Sequence, residues 1–267
     1  MKKRFGLLAA LCLFFGVLGL AGAGVGEDLL HIEPGTTVYP CGDFRYIVRD
    51  DGTAAIVRYY GKTEELVIPG EMDGLSVTGA DRNAFLELDE LKKVTLPDSL
   101  KDFVICPFVR CRNLTEIVVS PDHPYLEVID GVLFSRAEKK LLCYPLGFTA
   151  EKYIIPPGTK EIEEYAFYFD DNLKEIIIPD SMTEIGEAAF NCCYRLERVT
   201  IPDGVTKIGP EAFRGCDCLE EVRIPESVTE IADNAFLHCP EKLTIFVRLG
   251  SYAETFCKEQ GLNYIVK

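Results

Sequence analysis

The sequence predicts an α/β repeat solenoid, in which short strands and tight turns are stacked rung upon rung. Three observations predict it. Ile155, Ile178, Ile201 and Ile224 recur every 23 residues. Ile162, Ile185, Ile208 and Ile231 keep the same period, and so do Phe167, Phe190, Phe213 and Phe236. A unit this short cannot bury its own apolar face, so three rows in one register imply units that bury each other.

The unit is clearest in LKEIIIPDSMTEIGEAAFNCCYR (173–195), LERVTIPDGVTKIGPEAFRGCDC (196–218) and LEEVRIPESVTEIADNAFLHCPEK (219–242). In L-x-x-I-x-I the aliphatic residues alternate, as they do along a strand with one buried face. The following Pro cannot donate to a ladder and ends the strand. A second extended piece, V-T-x-I, leads through Gly or a small residue into A-F, where a helical turn is expected. Stacking at ~4.8 Å per strand would turn each Leu, Ile and Phe into a continuous buried row.

These residues resemble the BspA-type (Treponema-type) leucine-rich repeat family, whose unit L-x-x-I-x-I-P…V-T-x-I-G-x-x-A-F-x-x-C is carried almost letter for letter by residues 173–239. The resemblance implies a right-handed leucine-rich-repeat solenoid with a parallel β-sheet and short helical turns. Because members of that family are associated with adhesion and host interaction, it also implies a bacterial surface or secreted protein that binds other molecules.

The remaining elements follow in chain order. Residues 1–23 read as a signal peptide: Lys2, Lys3 and Arg4 are followed by the apolar Phe5 to Leu20 and a small-residue cleavage site at Ala21-Gly-Ala23. An uncleaved membrane anchor is the alternative, although so short an apolar segment falls below the ~30 Å of hydrocarbon it would cross. Residues 24–39 read as a flexible tail. In FRYIVRDDGTAAIVRYY (44–60) apolar residues alternate on both sides of Asp50-Asp51-Gly52, which predicts a hairpin. We expect residues 40–62 to form an N-terminal β-hairpin cap over the first strand of the solenoid.

Repeats run over 63–242. The first, from Thr63 to Leu88, is stretched by Glu71-Met-Asp-Gly-Leu75, and Ala80-Asp81 replaces Ile-Gly, so its second strand is expected to be weak. Residues 91–111 form the next repeat, with Phe103 in the Ile row and Phe108 in the Phe row. The period breaks at about 114–153, where two apolar runs around a charged turn suggest a hairpin inside one enlarged repeat. Residues 243–267 read as a C-terminal cap of strand (243–247), helix (about 251–260) and strand (263–266). A cap at each end leads us to expect one complete domain.

Composition narrows the function. With 28 Lys+Arg against 43 Asp+Glu the net charge is −15, and loss of Lys2, Lys3 and Arg4 with the signal would take it to −18. Such a surface repels phosphate backbones and anionic lipids, so no nucleic-acid partner is expected, and no membrane insertion after signal cleavage. The sequence shows no H-E-x-x-H, G-x-S-x-G or G-x-x-x-x-G-K-[ST] motif. Its three histidines, His31, His123 and His238, do not form a nucleophile–base arrangement by spacing. We therefore expect no enzyme activity, no catalytic residues, no cofactor and no metal. The sequon Asn113-Leu-Thr115 is discounted because Leu114 is a strand position facing inward.

Cysteine gives the most ambiguous signal. Cys193, Cys216 and Cys239 keep the 23-residue period three residues after the Phe, and Cys111 has the same offset from Phe108. A residue in register with core Ile and Phe behaves as a small buried hydrophobe. Stacked free thiols are favoured over a disulfide, because side chains on a parallel ladder run side by side. A zinc site from Cys192, Cys193, Cys216, Cys218 and His238 is disfavoured for want of C-x-x-C pairs. Cys192 stands off the row, so it is the thiol expected to be reactive if either neighbour is.

The outward positions of the first strands supply two rows. One, Glu65, Lys93, Glu116, Lys152, Glu175, Arg198, Glu221 and Lys242, alternates in sign, which avoids like-charge repulsion and holds register. The other is Val67, Thr95, Val118, Ile154, Ile177, Thr200, Arg223 and Thr244. Apolar side chains displayed on an open sheet can mark a contact surface, whereas strand propensity alone would also place them there. From this row the candidate binding patch is Val118, Ile154, Ile177, Thr200 and Arg223. The function expected is a secreted or cell-surface protein-interaction or adhesion module, monomeric, with an extracellular protein or glycan as partner. A self-associating surface component is the alternative, and a carbohydrate-active hydrolase a more distant one. No L-P-x-T-G sorting signal is present.

Overall fold

The computed structural model describes residues 35–267. The signal peptide and most of the expected tail lie outside the described residues.

The chain begins with an antiparallel three-stranded unit, β1 (Val38–Cys41), β2 (Phe44–Val48) and β3 (Ala54–Tyr59). Residues 38 and 39, assigned to the tail by sequence, are thus strand residues, with Val38 opposite Ile47 and Tyr39 opposite Tyr46. The repeats follow as β4 (Glu65–Val67), β5 (Glu71–Met72), β6 (Leu75–Ala80), β7 (Lys93–Thr95), β8 (Asp102–Phe103) and β9 (Glu116–Val118). Then come β10 (Leu126–Ile129), β11 (Val132–Ser135) and β12 (Lys140–Cys143). The regular part contains β13 (Lys152–Ile154), β14 (Glu161–Ile162), β15 (Glu175–Ile177), β16 (Glu184–Ile185), β17 (Arg198–Thr200), β18 (Lys207–Ile208), β19 (Glu221–Arg223) and β20 (Glu230–Ile231). The chain closes with β21 (Thr244–Val247), α1 (Tyr252–Gln260) and β22 (Tyr264–Val266).

Each regular repeat contributes one strand to each of two parallel ladders. The first strands give β13-β15-β17-β19-β21-β22, and the second give β12-β14-β16-β18-β20. In-register pairs such as Ile176 with Val199 and Ile185 with Ile208 show why the period is strict. A slip of one residue would turn every aliphatic side chain to the opposite face. Between the ladders Phe167, Phe190, Phe213 and Phe236 stack with centroids 5.0, 5.3 and 5.4 Å apart. The A-F segments form hydrogen-bonded turns, Ala189 N–H to Gly186 C=O for example, and among the described residues the α-helix is confined to the C-terminal cap. That helix is capped at both ends: Ser251 accepts from Glu254 N–H, and Gly261 takes the left-handed conformation with φ 68°.

The structure departs from the sequence expectations at four further places. The Glu71–Leu75 insertion does not weaken the next strand. It forms a hairpin about Asp73-Gly74, and β6 becomes a six-residue strand paired with β3, β5 and β8. Being longer than the second strands of later repeats, β6 offers the edge that β3 takes. The N-terminal cap therefore extends the separate sheet of the second strands β6 and β8, and among the described residues no strand flanks β4 on its outer side.

The irregular repeat is the third departure. It holds three strands rather than one hairpin, because Asp130-Gly131 and the segment 136–139 both turn the chain. It also interrupts the first-strand ladder, leaving β4-β7-β9 as a separate sheet. The strand β11 is buried on both faces: Val132 and Phe134 belong to the C-terminal core and Leu133 to the N-terminal core. The fourth departure lies at the C-terminal end. Val222 pairs with Ile245 rather than with Leu243, so Thr244 and Phe246, not Lys242 and Thr244, continue the two outward rows.

Candidate ligand-binding face

The side chains of the candidate patch come from the residue that closes each first strand. This position points away from the core because its neighbours on either side, Ile176 and Ile178 around Ile177 for instance, are buried. Ladder pairing sets Ile154 beside Ile177, Ile177 beside Thr200, Thr200 beside Arg223 and Arg223 beside Phe246. Ile154 is 59% and Ile177 39% exposed, high for aliphatic side chains beside a well-filled core. Val118 is not part of this strip. It pairs with Thr95 in the separate β4-β7-β9 sheet, where it is half-buried.

Phe246 was missed from the sequence. The spacing Val199, Val222, Ile245 is 23 residues throughout and would have placed it, but Leu243 is the more conspicuous residue. The ring carries two cations, with the Arg223 guanidinium 5.0 Å and the Lys267 ammonium 4.1 Å from its centre. The strip thus grades from aliphatic at Ile154 to cationic and aromatic at Phe246. Between Ile177 and Arg223 the short Thr200 leaves an open depression, also lined by Arg198 and Glu221.

Beside the strip runs the charged row. Lys152 meets Glu175 at 3.1 Å and, in the other sheet, Lys93 meets Glu116 at 2.8 Å. The Glu116 carboxylate, by hydrogen bond and charge, holds the Lys93 ammonium above its usual range. All these groups are solvated, so each pair adds little to stability and the row chiefly sets register.

The remaining chemistry-bearing residues take structural places. His123 is 1% exposed; its Nδ1 accepts from the N–H groups of Tyr125 and Leu126 at 3.2 and 3.1 Å, and its Nε2 lies 3.1 Å from the Pro97 carbonyl. The row cysteines donate to the repeat before. The thiols of Cys111, Cys193, Cys216 and Cys239 lie 3.0, 3.2, 3.1 and 3.1 Å from the carbonyls of Phe85, Phe167, Phe190 and Phe213. Burial pushes all four thiols up, Cys111 and Cys239 to about 12. Cys192, Cys218 and His238 point elsewhere, and among the described residues no three His, Cys, Asp or Glu side chains converge as a metal site.

Cys192 has φ 58°, and its counterparts one repeat away in either direction and two repeats onward, Phe169, Gly215 and His238, have φ 66°, 67° and 61°. Glu87 and Arg110 occupy the same left-handed place in the N-terminal repeats, with φ 60° each. This row marks the outside of a turn, which is why Cys192 is half-buried while Cys193 is enclosed.

Comparison with known proteins bears on this arrangement in three ways. A leucine-rich repeat protein from Eubacterium ventriosum is similar in structure, with TM-score 0.53 and 18% identity over 78% of this chain and 76% of that one. A leucine rich cell surface protein from Faecalibacterium prausnitzii (TM-score 0.45, 18% identity, 82% of this chain and 96% of that one) and the T. pallidum leucine rich repeat protein (0.39, 24%, 86% and 98%) are also similar. None of the curated proteins compared with the chain matches it. Among the described residues no helix is long and apolar enough to cross a membrane. The sequence model of the BspA type leucine rich repeat region matches in six copies, over residues 64–141 and 146–256. The chain belongs to the BspA-type leucine-rich repeat family.

Proposed function

We propose that the protein is a secreted or cell-surface interaction module that binds an extracellular protein or glycan through the strip Ile154, Ile177, Thr200 and Arg223, extended by Phe246. The observation that carries this reading is the pair Ile154 and Ile177, side by side on an open parallel ladder and exposed where burial or polarity would be the norm. Around it the face offers a hydroxyl at Thr200 and a cation–aromatic pair at Arg223 and Phe246, a mixture common in interaction surfaces. The signal-like residues 1–23 and the acidic surface support an extracellular setting.

The test is an array of glycans and extracellular-matrix proteins probed with the protein lacking residues 1–23. Ile154→Glu and Ile177→Glu together should abolish any specific signal from a matrix protein or a neutral glycan. Both side chains are exposed, so the fold should survive with a change of no more than ~0.5 kcal/mol. A matrix-protein or neutral-glycan signal retained by the double variant would remove this face from consideration.

A further inference from the structure

The break in the first-strand ladder does more than divide the sheet. Where β9 and β13 fail to pair, the segment 145–149 lies across the gap and Gly147 N–H donates to the Leu114 carbonyl at 2.9 Å. A Cβ on Gly147 would stand 2.6 Å from that same oxygen, so only glycine allows the approach. Beside this crossing is a notch of about 480 Å³, within the ~300–1,000 Å³ of small-ligand sites.

Its lining is unlike the sheet face. Phe169 and Leu146 are the apolar side chains, and around them stand Arg112, Lys92, Asn113, Asn172, Thr149 and Asp171. The guanidiniums of Arg110 and Arg112 lie 5.0 and 5.9 Å from the Phe169 ring centre. The cations differ in how well they are paired. Arg110 meets Glu87 at 2.6 Å and Lys92 meets Glu64 at 2.8 Å, whereas Arg112 meets Asp171 at 3.7 Å. Arg112 therefore keeps most of its donor fork available, and a guanidinium fork matches a carboxylate.

An aromatic ring, amide and hydroxyl side chains and one underpaired guanidinium, converging in an open polar notch, suit a ligand that shows both a C–H face and a rim of hydroxyls. We propose that the notch binds an acidic saccharide, a sugar ring carrying a carboxylate. Phe169 packs against the ring face, Arg112 receives the carboxylate, and Asn113, Asn172 and Thr149 bond the hydroxyls. This site is separate from the sheet face and does not depend on it.

The repeat itself supplies the cleanest variant. Phe169 is in the left-handed conformation that Gly215 takes two repeats later, so Phe169→Gly removes the ring at a position where glycine is already accommodated. Titration calorimetry of the protein with digalacturonate, 3′-sialyllactose and lactose is the experiment. One or both acidic sugars should bind, with lactose weaker by roughly tenfold or more. The two acidic arms distinguish a uronic from a sialic carboxylate. Arg112→Gln should erase the preference for acid, and Phe169→Gly should weaken binding by roughly tenfold in a protein that remains folded, although its ring contacts with Tyr168 and Tyr194 are lost. Ile154→Glu should leave binding unchanged. Absence of binding by both acidic sugars, equal binding of lactose, or affinity indifferent to Arg112→Gln and Phe169→Gly would overturn the proposal. Loss of binding in Ile154→Glu alone would move the site to the sheet face and overturn it too.

Discussion

Cys192 and Cys193 are adjacent in sequence and opposite in environment, and the cause lies in the backbone. The left-handed φ of 58° at Cys192 throws its side chain to the outside of the turn while Cys193 enters the core and bonds the Phe167 carbonyl. An L-residue in that conformation is strained by ~1–2 kcal/mol, set against the ~0.5–1 kcal/mol that glycine loses in chain entropy. Cys192→Gly should therefore leave the urea midpoint unchanged or raise it, and Cys192→Val should lower it. A marked fall in the glycine variant would mean that the thiol holds the loop. The second residue-scale prediction concerns His123. Burial lowers its pKa below the ordinary 6.5, and its Nδ1 lone pair already accepts two backbone N–H groups. The unfolded chain takes up the proton more readily than the folded one, so stability rises with pH through this window. The contribution is complete above the unfolded value of about 6.5 and is lost as pH falls toward the lower folded value. Nearby Asp98 favours the charged form and Arg136 opposes it. Urea midpoints between pH 7.5 and 5 should fall more steeply for the native protein than for His123→Gln; equal slopes would assign the titration elsewhere.

At the scale of elements, the strict period was the legible part. Ile176, Val199, Val222 and Ile245 could be placed by counting alone, and the error at Leu243 came from preferring residue type to spacing. The non-repeating elements were harder to read because their pairing depends on partners far along the chain. Nothing local in Glu71–Leu75 says that the strand after it will be long enough to receive β3. Nothing local in 126–143 says that its strands will interrupt a ladder. The glycines after the second strand are a different case, set by the distance between rungs. A Cβ on Gly186 would lie 2.5 Å from the Ile162 carbonyl of the preceding rung. Gly186→Ala should thus push two rungs apart and cost more than ~1 kcal/mol, seen as a lower denaturation midpoint. No change there would show that the rungs slide more freely than their hydrogen bonds suggest.

For the whole molecule, the decisive feature is the strand β11, which serves as a wall between two cores. Leu133 and Phe134 are neighbours in the chain and enclosed, yet they face different halves. Truncating either should cost ~2–5 kcal/mol. Hydrogen exchange should distinguish them: Leu133→Ala should release protection mainly in β3, β6 and β7, and Phe134→Ala mainly in β14 to β18. Identical patterns would mean that the halves open as one unit. The candidate face was half legible for the same reason. Ile154, Ile177, Thr200 and Arg223 are brought together as spacing foretold, but Val118 stands beyond the wall. On the C-terminal side of that wall, 173–195 and 196–218 are similar rungs: Phe190 and Phe213 each stack on a Phe before and after, whereas Cys193 has Asp170 one repeat before it and Cys216 one repeat after. Joining Arg195 to Leu219 would bring Phe190 against Phe236 and keep the interior rows, while setting Glu175 beside Glu221 and Glu184 beside Glu230 on the outside. Reach along this arm can therefore change in steps of one strand spacing, ~4.8 Å, without redesign of the interior. The distance from Ile154 to the cations around Phe246 is thus a graduated scale, set by the number of rungs between them, while the seam at β11 stays where it is.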